Sequence, residues 1–159
     1  MTSAIETRDL HKSFGGTTVL EGVDVAFPEG AICSLMGPSG TGKSVMIKHI
    51  LGLLKPDAGE VLVRGRSRKA MSRSAVIAMR RDIGVMFQDG ALFSSMTLYE
   101  NIAFPLRQHT NYSDREVHEI AMEHLHKVGL GHAVGRYPAE LSGGMKKRAG
   151  LARGLVLDP

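Results

Sequence analysis

The residues best suited to chemistry in this sequence form one glycine-rich stretch in its first half. The stretch fits the spacing G-x-x-x-x-G-K-[ST] at every fixed position, with the residues Gly37, Pro38, Ser39, Gly40, Thr41, Gly42, Lys43 and Ser44. Glycines let a backbone wrap closely around phosphates, a lysine supplies positive charge, and a hydroxyl can bind Mg²⁺. The stretch therefore predicts a site for the phosphates of a nucleoside triphosphate.

The elements on either side of this stretch would position it. Residues 31–36 are apolar and predict a strand, whereas 43–54 carry apolar residues at steps of three and four and predict a helix. A loop between a strand and a helix N-terminus directs backbone N–H groups and the helix dipole toward an anion. An ordinary glycine-rich turn is the alternative reading, and the strand-helix context argues against it.

The remaining pattern predicts strands first and helices later. Strands are expected at 5–10, 17–27, 60–64 and 83–87, with a turn at Pro56, Asp57 and Gly59 and a short helix at 74–81. In the second half, Thr97 with Glu100 and Ser113 with Glu116 have capping-box spacing, and Ser142 is placed to cap a last helix extending to residue 157. The fold class predicted is α/β, a core with a helical insertion.

Composition and charge exclude several classes of protein. The chain has 159 residues, of which 43% are hydrophobic, so a packed core is expected and global disorder is not. Its apolar runs are far shorter than the roughly 20 residues of a membrane-spanning helix. The single cysteine excludes an internal disulfide and is typical of a reducing cytoplasm. The net charge is +4 and residues 61–81 contain no acid, which indicates either a solvated surface or a patch facing phosphates.

A second motif narrows the class. The run from Leu141 through Ser142, Gly143 and Gly144 to Met145 resembles the L-S-G-G-Q signature of ABC-type ATPases. The resemblance implies ATP and Mg²⁺ as cofactors, with the terminal phosphate held by Ser142, Gly143 and Gly144 of one subunit against the Lys43 loop of another.

Two single residues match further positions of that family. Gln88 matches the glutamine that contacts Mg²⁺ or water, which makes Ser44 and Gln88 the implied metal ligands, and Phe14 matches the aromatic residue that stacks on adenine. Taken alone, Gln88 would be an ordinary polar residue at a strand end and Phe14 an ordinary core residue. The resemblance implies a P-loop NTPase, RecA-like core with an N-terminal antiparallel β-subdomain.

The sequence resembles one branch of the family in particular, the lipid-transport ATPases of the Mce-associated and maintenance-of-lipid-asymmetry types. The segments that carry this resemblance are 88–93, 103–107 and 147–153, together with Val45 and Met145. The implied partners are a second ATP-binding subunit in a head-to-tail dimer and a membrane permease subunit, with Mce-type lipid-binding proteins as further candidates. The implied location is cytoplasmic, peripheral on the inner face of the membrane through the permease.

One departure from the family is large. Its members carry an Asp-Glu pair that holds Mg²⁺ and polarises the attacking water, and a switch histidine beyond it, but no Asp-Glu pair occurs in this sequence. No catalytic residue is therefore assigned. We expect a partial ATP-binding domain with an incomplete sheet, divided into about 1–88 for the β-subdomain and P-loop core and about 89–159 for the helical subdomain.

Other functions remain open from the sequence. A non-catalytic, nucleotide-binding fragment is one, and another importer or exporter ATPase is a second. A soluble ABC ATPase acting on DNA or ribosomes is a third, although the stretch from Gln88 to Leu141 is too short for a long coiled-coil insertion and no nucleic-acid partner is expected. A GTPase lacks support because no Asn-Lys-x-Asp sequence is present. Residues 89–106, rich in apolar side chains after Gln88, are expected to dock on the permease, and the alternative is that these side chains form the core of the helical block itself.

Overall fold

The computed structural model describes residues 3–88 and 90–159. The chain divides into two compact units, residues 1–78 and residues 79–159. Helix α2 (Arg73–Arg81) runs from the end of the first unit into the second.

The first unit is built on a four-stranded antiparallel sheet. Its strands are β1 (Ser3–Phe14), β2 (Thr17–Pro28), β3 (Ala58–Val63) and β4 (Arg66–Ser67), in the order β2-β1-β3-β4. Gly15 and Gly16 both have positive φ, which suits the two-residue hairpin turn between β1 and β2. Helix α1 (Lys43–Ile50) shares a core with this sheet, formed by Leu10, Leu20, Met46, Ile50 and Val61. The predicted strands at 5–10, 17–27 and 60–64 are confirmed.

Two other predicted strands are wrong. Residues 31–36 and 83–87 form no regular element, because none of the described residues pairs with them in a sheet. Ile32 and Met36, whose apolar character suggested a buried strand, are almost fully exposed. A buried parallel strand depends on neighbours that share its hydrogen bonds and cover both its faces, so apolar character alone does not produce one.

The second unit is helical, as expected. Its main helices are α3 (Leu98–His109), α4 (Asp114–Lys127) and α5 (Gly143–Leu155), and they share a core that includes Leu98, Ile102, Val117, Leu125 and Ala149. Both predicted capping boxes are present, at Thr97 with Glu100 and at Ser113 with Glu116. Among residues 3–88 and 90–159, none of the helices combines the length and the apolar character that a membrane crossing requires.

Candidate nucleotide-binding site

The shape of the glycine-rich loop is fixed at Gly42. Its φ is +84°, and a Cβ added there would lie 2.8 Å from Leu20 Cδ2 and 2.9 Å from the carbonyl oxygen of Val19. A larger residue would therefore be strained by its backbone and would collide with β2. Helix α1 starts at the next residue, and its first turn contains no acidic side chain. Its unpaired N–H groups and the positive end of its dipole remain available to an anion.

Lys43 follows the loop, and its side chain reaches back across the loop to the residues at its start. Its Nζ donates to the carbonyl oxygen of Gly37 at 2.7 Å, to that of Pro38, and to Thr41 Oγ1 at 3.3 Å. Thr41 Oγ1 in turn donates to the carbonyl oxygen of Pro38 at 2.9 Å. These acceptors are neutral, and a phosphate oxygen is a stronger partner for an ammonium group. Lys43 is thus held where it can exchange loop carbonyls for a phosphate.

The residues predicted to bind Mg²⁺ are few. Ser44 lies in the first turn of α1 and is exposed. Within the described ranges, no cluster of three or more histidine, cysteine or acidic side chains is arranged to hold a metal ion. Mg²⁺ is commonly bound by one or two protein oxygens together with substrate phosphates, so a single hydroxyl beside Lys43 fits a metal ion that arrives with a nucleotide.

Phe14 ends strand β1 and presents an aromatic ring at the surface. The residue is 45% exposed, which contradicts the reading of Phe14 as an ordinary core residue. Lys12 Nζ lies 5.3 Å from the centroid of the ring, in the range of a cation–π contact. The ring is thus supported by a neighbouring side chain and retains accessible surface on which a base could stack.

Asp57 organises the end of β1 next to Phe14. Its carboxylate accepts hydrogen bonds from Lys12 Nζ and from the Ser13 backbone N–H, each at 2.7 Å. These bonds, the one from Lys12 first, hold the pKa of Asp57 below its ordinary value. The sequence reasoning missed Lys12 and Asp57 as site residues. The sequence signal for Asp57 is its place in the turn with Pro56, and a turn by itself does not indicate the contact with Lys12 of β1.

Gln88 lies in the second unit. It is exposed and sits in a turn in which the Gly90 N–H donates to the carbonyl oxygen of Phe87 at 2.9 Å. The prediction placed it at the end of a strand, and the structure places it after a segment without regular structure. Its polar side chain is accessible to solvent, which a role with Mg²⁺ or water requires.

The signature residues form the start of α5. Ser142 is the N-cap, and its Oγ accepts a hydrogen bond from the Met145 N–H at 3.3 Å. Gly143 and Gly144 are exposed, and beyond its own helix backbone a Cβ added to either would meet no atom of residues 3–88 and 90–159 within 4 Å. The chain's own packing therefore does not require glycine at these positions. The first turn also contains no acid, so its N–H groups are open to an anion.

The predicted site residues are thus distributed over both units. The glycine-rich loop, Lys43, Ser44 and Phe14 belong to the first unit, and Gln88 and the signature residues belong to the second. Each set presents exposed groups suited to phosphate or base contacts.

Comparison with known proteins identifies the family. The ABC transporter family model matches residues 20–159. The chain is 51% identical over 159 residues to a probable ribonucleotide transport ATP-binding protein, mkl, of Mycobacterium leprae, covering 100% of this chain and 46% of that protein. It is 39% identical to the intermembrane phospholipid transport system ATP-binding protein MlaF of Escherichia coli, covering 100% of this chain and 59% of MlaF. The chain spans about half the length of the curated relatives it matches.

Solved structures agree with this result. A dimeric bacterial ABC transporter cassette, MJ0796, superimposes with a TM-score of 0.88 at 32% identity, covering 98% of this chain and 70% of that one. The protein cbiO1 of Clostridium perfringens, part of the ABC transporter complex cbiONQ, gives a TM-score of 0.85 at 27% identity, covering 100% of this chain and 63% of that one. The predicted fold class, a P-loop NTPase core with a helical insertion, is confirmed by these neighbours. The chain belongs to the ABC transporter family of ATP-binding proteins.

Proposed function

We propose that this chain binds ATP with Mg²⁺ as part of the ATP-binding subunit of a transporter. The observation that carries the proposal is the arrangement of Lys43. Its ammonium group donates to backbone carbonyls of the glycine-rich loop, and Gly42 and the N-terminus of α1 give that loop a form suited to phosphates. In this proposal Lys43 binds the outer phosphates, Ser44 and Gln88 bind Mg²⁺, and Phe14 stacks on adenine.

The signature residues act on a nucleotide bound by a second subunit. The open space above Gly143 and Gly144 supports this role, since no side chain or other helix of the described residues comes within 4 Å of a Cβ placed there. The similarity to a dimeric cassette, one of whose structures is a post-hydrolysis state bound to ADP and Pi, also supports a head-to-tail dimer. Each ATP would lie between the Lys43 loop of one subunit and the Ser142 loop of its partner.

Hydrolysis is proposed for the full-length protein and not for these 159 residues alone. The sequence contains no Asp-Glu pair, and a group that activates water as a general base typically contributes about 10²–10⁴-fold to the rate. The 159-residue chain is therefore proposed to bind ATP and to release phosphate only at a background rate.

The proposed cargo is a lipid or another hydrophobic molecule. MlaF is named for phospholipid transport, and a relative from Arabidopsis thaliana, 44% identical over 154 residues, is named TRIGALACTOSYLDIACYLGLYCEROL 3, after a glycolipid. A ribonucleotide cargo is the second candidate, because the mycobacterial relatives of higher identity are named for ribonucleotide transport. The proposed partners are a membrane permease and Mce-type lipid-binding proteins, with the subunit at the cytoplasmic face of the membrane.

Reconstitution tests the proposal. The full-length protein and its permease would be placed in phospholipid vesicles, and ATP hydrolysis and lipid transfer to acceptor vesicles would be measured with and without Mg²⁺. Mg²⁺-dependent hydrolysis coupled to lipid transfer supports the proposal. Hydrolysis stimulated by ribonucleotides and not by lipids would replace the cargo, and the absence of ATP binding would reject the function.

A further inference from the structure

The segment that carries Gln88 lies along helix α5, which is the helix capped by Ser142. Gly84, before Gln88, approaches α5 so closely that a Cβ there would collide with the carbonyl oxygen of Gly154. After Gln88, a Cβ on Gly90 would lie 2.5 Å from the carbonyl oxygen of Lys146, and a Cβ on Gly150 would lie 2.7 Å from Gly90 Cα. The segment therefore contacts α5 on both sides of Gln88, and glycines permit the approach.

Arg153 of α5 adds directional bonds to this contact. Its Nη1 donates to the carbonyl oxygen of Ala91 at 2.9 Å, and its Nη2 donates to that of Gly90 at 3.1 Å. One planar guanidinium group thus binds two consecutive carbonyls of the segment. Ala91 has a φ of +47°, an unfavourable region for a residue with a Cβ, which surrounding contacts must stabilise.

Phe93 continues the same arrangement. The Arg153 guanidinium carbon lies 5.5 Å from the centroid of the Phe93 ring, and that ring makes an edge contact with Phe104 of α3 at 5.1 Å. Asn101 of α3, which is fully buried, accepts from the Phe93 N–H at 2.8 Å and donates to the Phe93 carbonyl oxygen at 3.1 Å. The segment is therefore held between α5 and α3.

Placing the charged guanidinium group of Arg153 between α5 and this segment costs free energy of desolvation. The residue is partly buried, burial lowers the pKa of its guanidinium, and among residues 3–88 and 90–159 no carboxylate forms an ion pair with it. An apolar side chain would fill the same space without desolvating a charge. The property that an apolar residue cannot supply is the pair of fixed bonds to Gly90 and Ala91.

We infer that Arg153 is a positioning residue that fixes the segment around Gln88 to α5, so that Gln88 and the Ser142 end of that helix move as one element. This inference rests on the proposed function, in which Gln88 and Ser142 both respond to bound nucleotide. A displacement of the Gln88 segment is then transmitted along α5 to the residues that close on a partner's ATP. The coupling is mechanical and requires no contact between Arg153 and nucleotide.

The test compares two substitutions in the same helix of the full-length protein reconstituted with its permease. Arg153→Lys keeps the positive charge, but a single ammonium group cannot reproduce both the paired bonds to the Gly90 and Ala91 carbonyls and the contact of a planar group with the Phe93 ring. Arg148→Lys is the matched control, since Arg148 also lies in α5 and donates to a backbone carbonyl, that of Val128 at 2.6 Å, far along the chain from Gln88.

Two measurements are made on each variant. Hydrogen exchange of the Gly90, Phe93 and Met96 amides is expected to be at least about fivefold faster in Arg153→Lys than in the parent, because local opening becomes easier. Permease-stimulated kcat for ATP is expected to fall by about tenfold while the KM for ATP stays within about twofold. Arg148→Lys is expected to resemble the parent in both measurements.

Faster hydrogen exchange together with a lower stimulated kcat in Arg153→Lys, and in that variant alone, supports the inference. If Arg153→Lys resembles Arg148→Lys in both measurements, Arg153 does not fix the segment. Faster exchange without a fall in stimulated kcat, or a rise in KM together with a general loss of thermal stability, shows a purely structural role and also rejects the inference. If the parent itself shows no ATP binding and no stimulation, the proposed function fails. In that case, unchanged hydrogen exchange in Arg153→Lys would separately reject the role of Arg153 in fixing the segment to α5.

Discussion

Asp57 and Lys12 form an ion pair of 2.7 Å that joins the turn after α1 to the end of β1. The same carboxylate accepts a hydrogen bond from the backbone N–H of Ser13, so it orders the two residues that precede Phe14. Lys12 then places its ammonium group 5.3 Å from the centre of the Phe14 ring. The orientation of the ring proposed to receive adenine thus depends on a residue distant in sequence.

Asp57→Asn is expected to weaken ATP binding. An amide can accept from Ser13 but cannot provide a charged partner for Lys12, so Phe14 loses part of its support. We expect the Kd for ATP to rise by about twofold to fivefold, since an ion pair with a half-exposed carboxylate contributes only a modest free energy. Titration calorimetry on the full-length protein measures this Kd, with Asp114→Asn as a control, because Asp114 is exposed and its ion pair with Arg107 is long, at 3.9 Å. Equal affinities for the two variants would contradict this role of Asp57.

Lys43→Ala is expected to remove most ATP binding. The substitution deletes the ammonium group that the loop holds for the outer phosphates and leaves the Gly42 turn intact. We expect a Kd at least about 100-fold higher, because a charged partner of a phosphate is lost. Lys48→Ala is the control, since Lys48 lies in the same helix and is exposed. A parent and a Lys43→Ala variant of equal affinity in calorimetry would refute the phosphate site.

The local part of this site was predictable, and the long-range part was not. The spacing from Gly37 to Ser44 specifies the loop, and the spacing of Thr97 with Glu100 specifies a helix start, because both depend on neighbours in sequence. The strands expected at 31–36 and 83–87 failed because strand formation depends on partners elsewhere in the chain. The contacts of Asp57 and Arg153 have no local sequence signal for the same reason, since their partners lie about 45 and 60 residues away.

His49 is expected to make stability depend on pH. It is fully buried in α1, its Nδ1 lies 3.2 Å from the carbonyl oxygen of Leu54, and its Nε2 has no hydrogen-bond partner among the residues described. Burial, as the largest cause, lowers the pKa of His49 below the ordinary 6.5. Below that pH the unfolded chain therefore binds a proton more readily than the folded chain does, and stability falls as the pH drops toward the lowered value.

Urea unfolding at pH 7.5 and 5.5 measures this effect. The His49→Leu variant keeps an apolar side chain in the buried position and is expected to lose less stability between the two pH values than the parent does. The control is His132→Gln, which removes an exposed histidine and leaves the buried His49 in place. The same loss of stability in the parent and in His49→Leu would exclude His49 as its source.

Gly144→Ala separates folding from function at the signature. A Cβ at Gly144 meets nothing within 4 Å, and alanine favours a helix over glycine by up to about 1 kcal/mol, so thermal stability should be unchanged or slightly higher. In the proposed dimer the added methyl would occupy space meant for a partner's ATP. ATP-dependent dimerisation of the full-length protein, followed by light scattering, is expected to be lost. A variant that dimerises like its parent would show that this surface does not close on nucleotide.

The last prediction concerns residues 89–106 as the surface that contacts a permease, of which residue 89 lies outside the described part of the chain. The apolar side chains that suggested docking fall into two groups, one buried and one exposed. Leu98 and Ile102 are buried in the core of the second unit and are unavailable to a partner, while Phe93 is 44% exposed and Ser94 and Ser95 are exposed beside it. The docking surface is therefore expected to centre on 93–95 and not on α3.

Site-directed crosslinking tests this placement in the full-length protein assembled with its permease. Cysteines would replace Ser94, Ser95 or Gln108 in a Cys33→Ser background, which removes the one native thiol. We expect adducts with the permease from positions 94 and 95 and none from position 108, which is exposed near the far end of α3 and serves as the matched control. Phe93→Ala should reduce those adducts by about tenfold if the ring contributes as an interface anchor. Adducts of similar yield from all three positions would indicate non-specific proximity and contradict the docking surface. Adducts with ribosomal or DNA-processing proteins would instead replace the transport function with that of a soluble ABC ATPase.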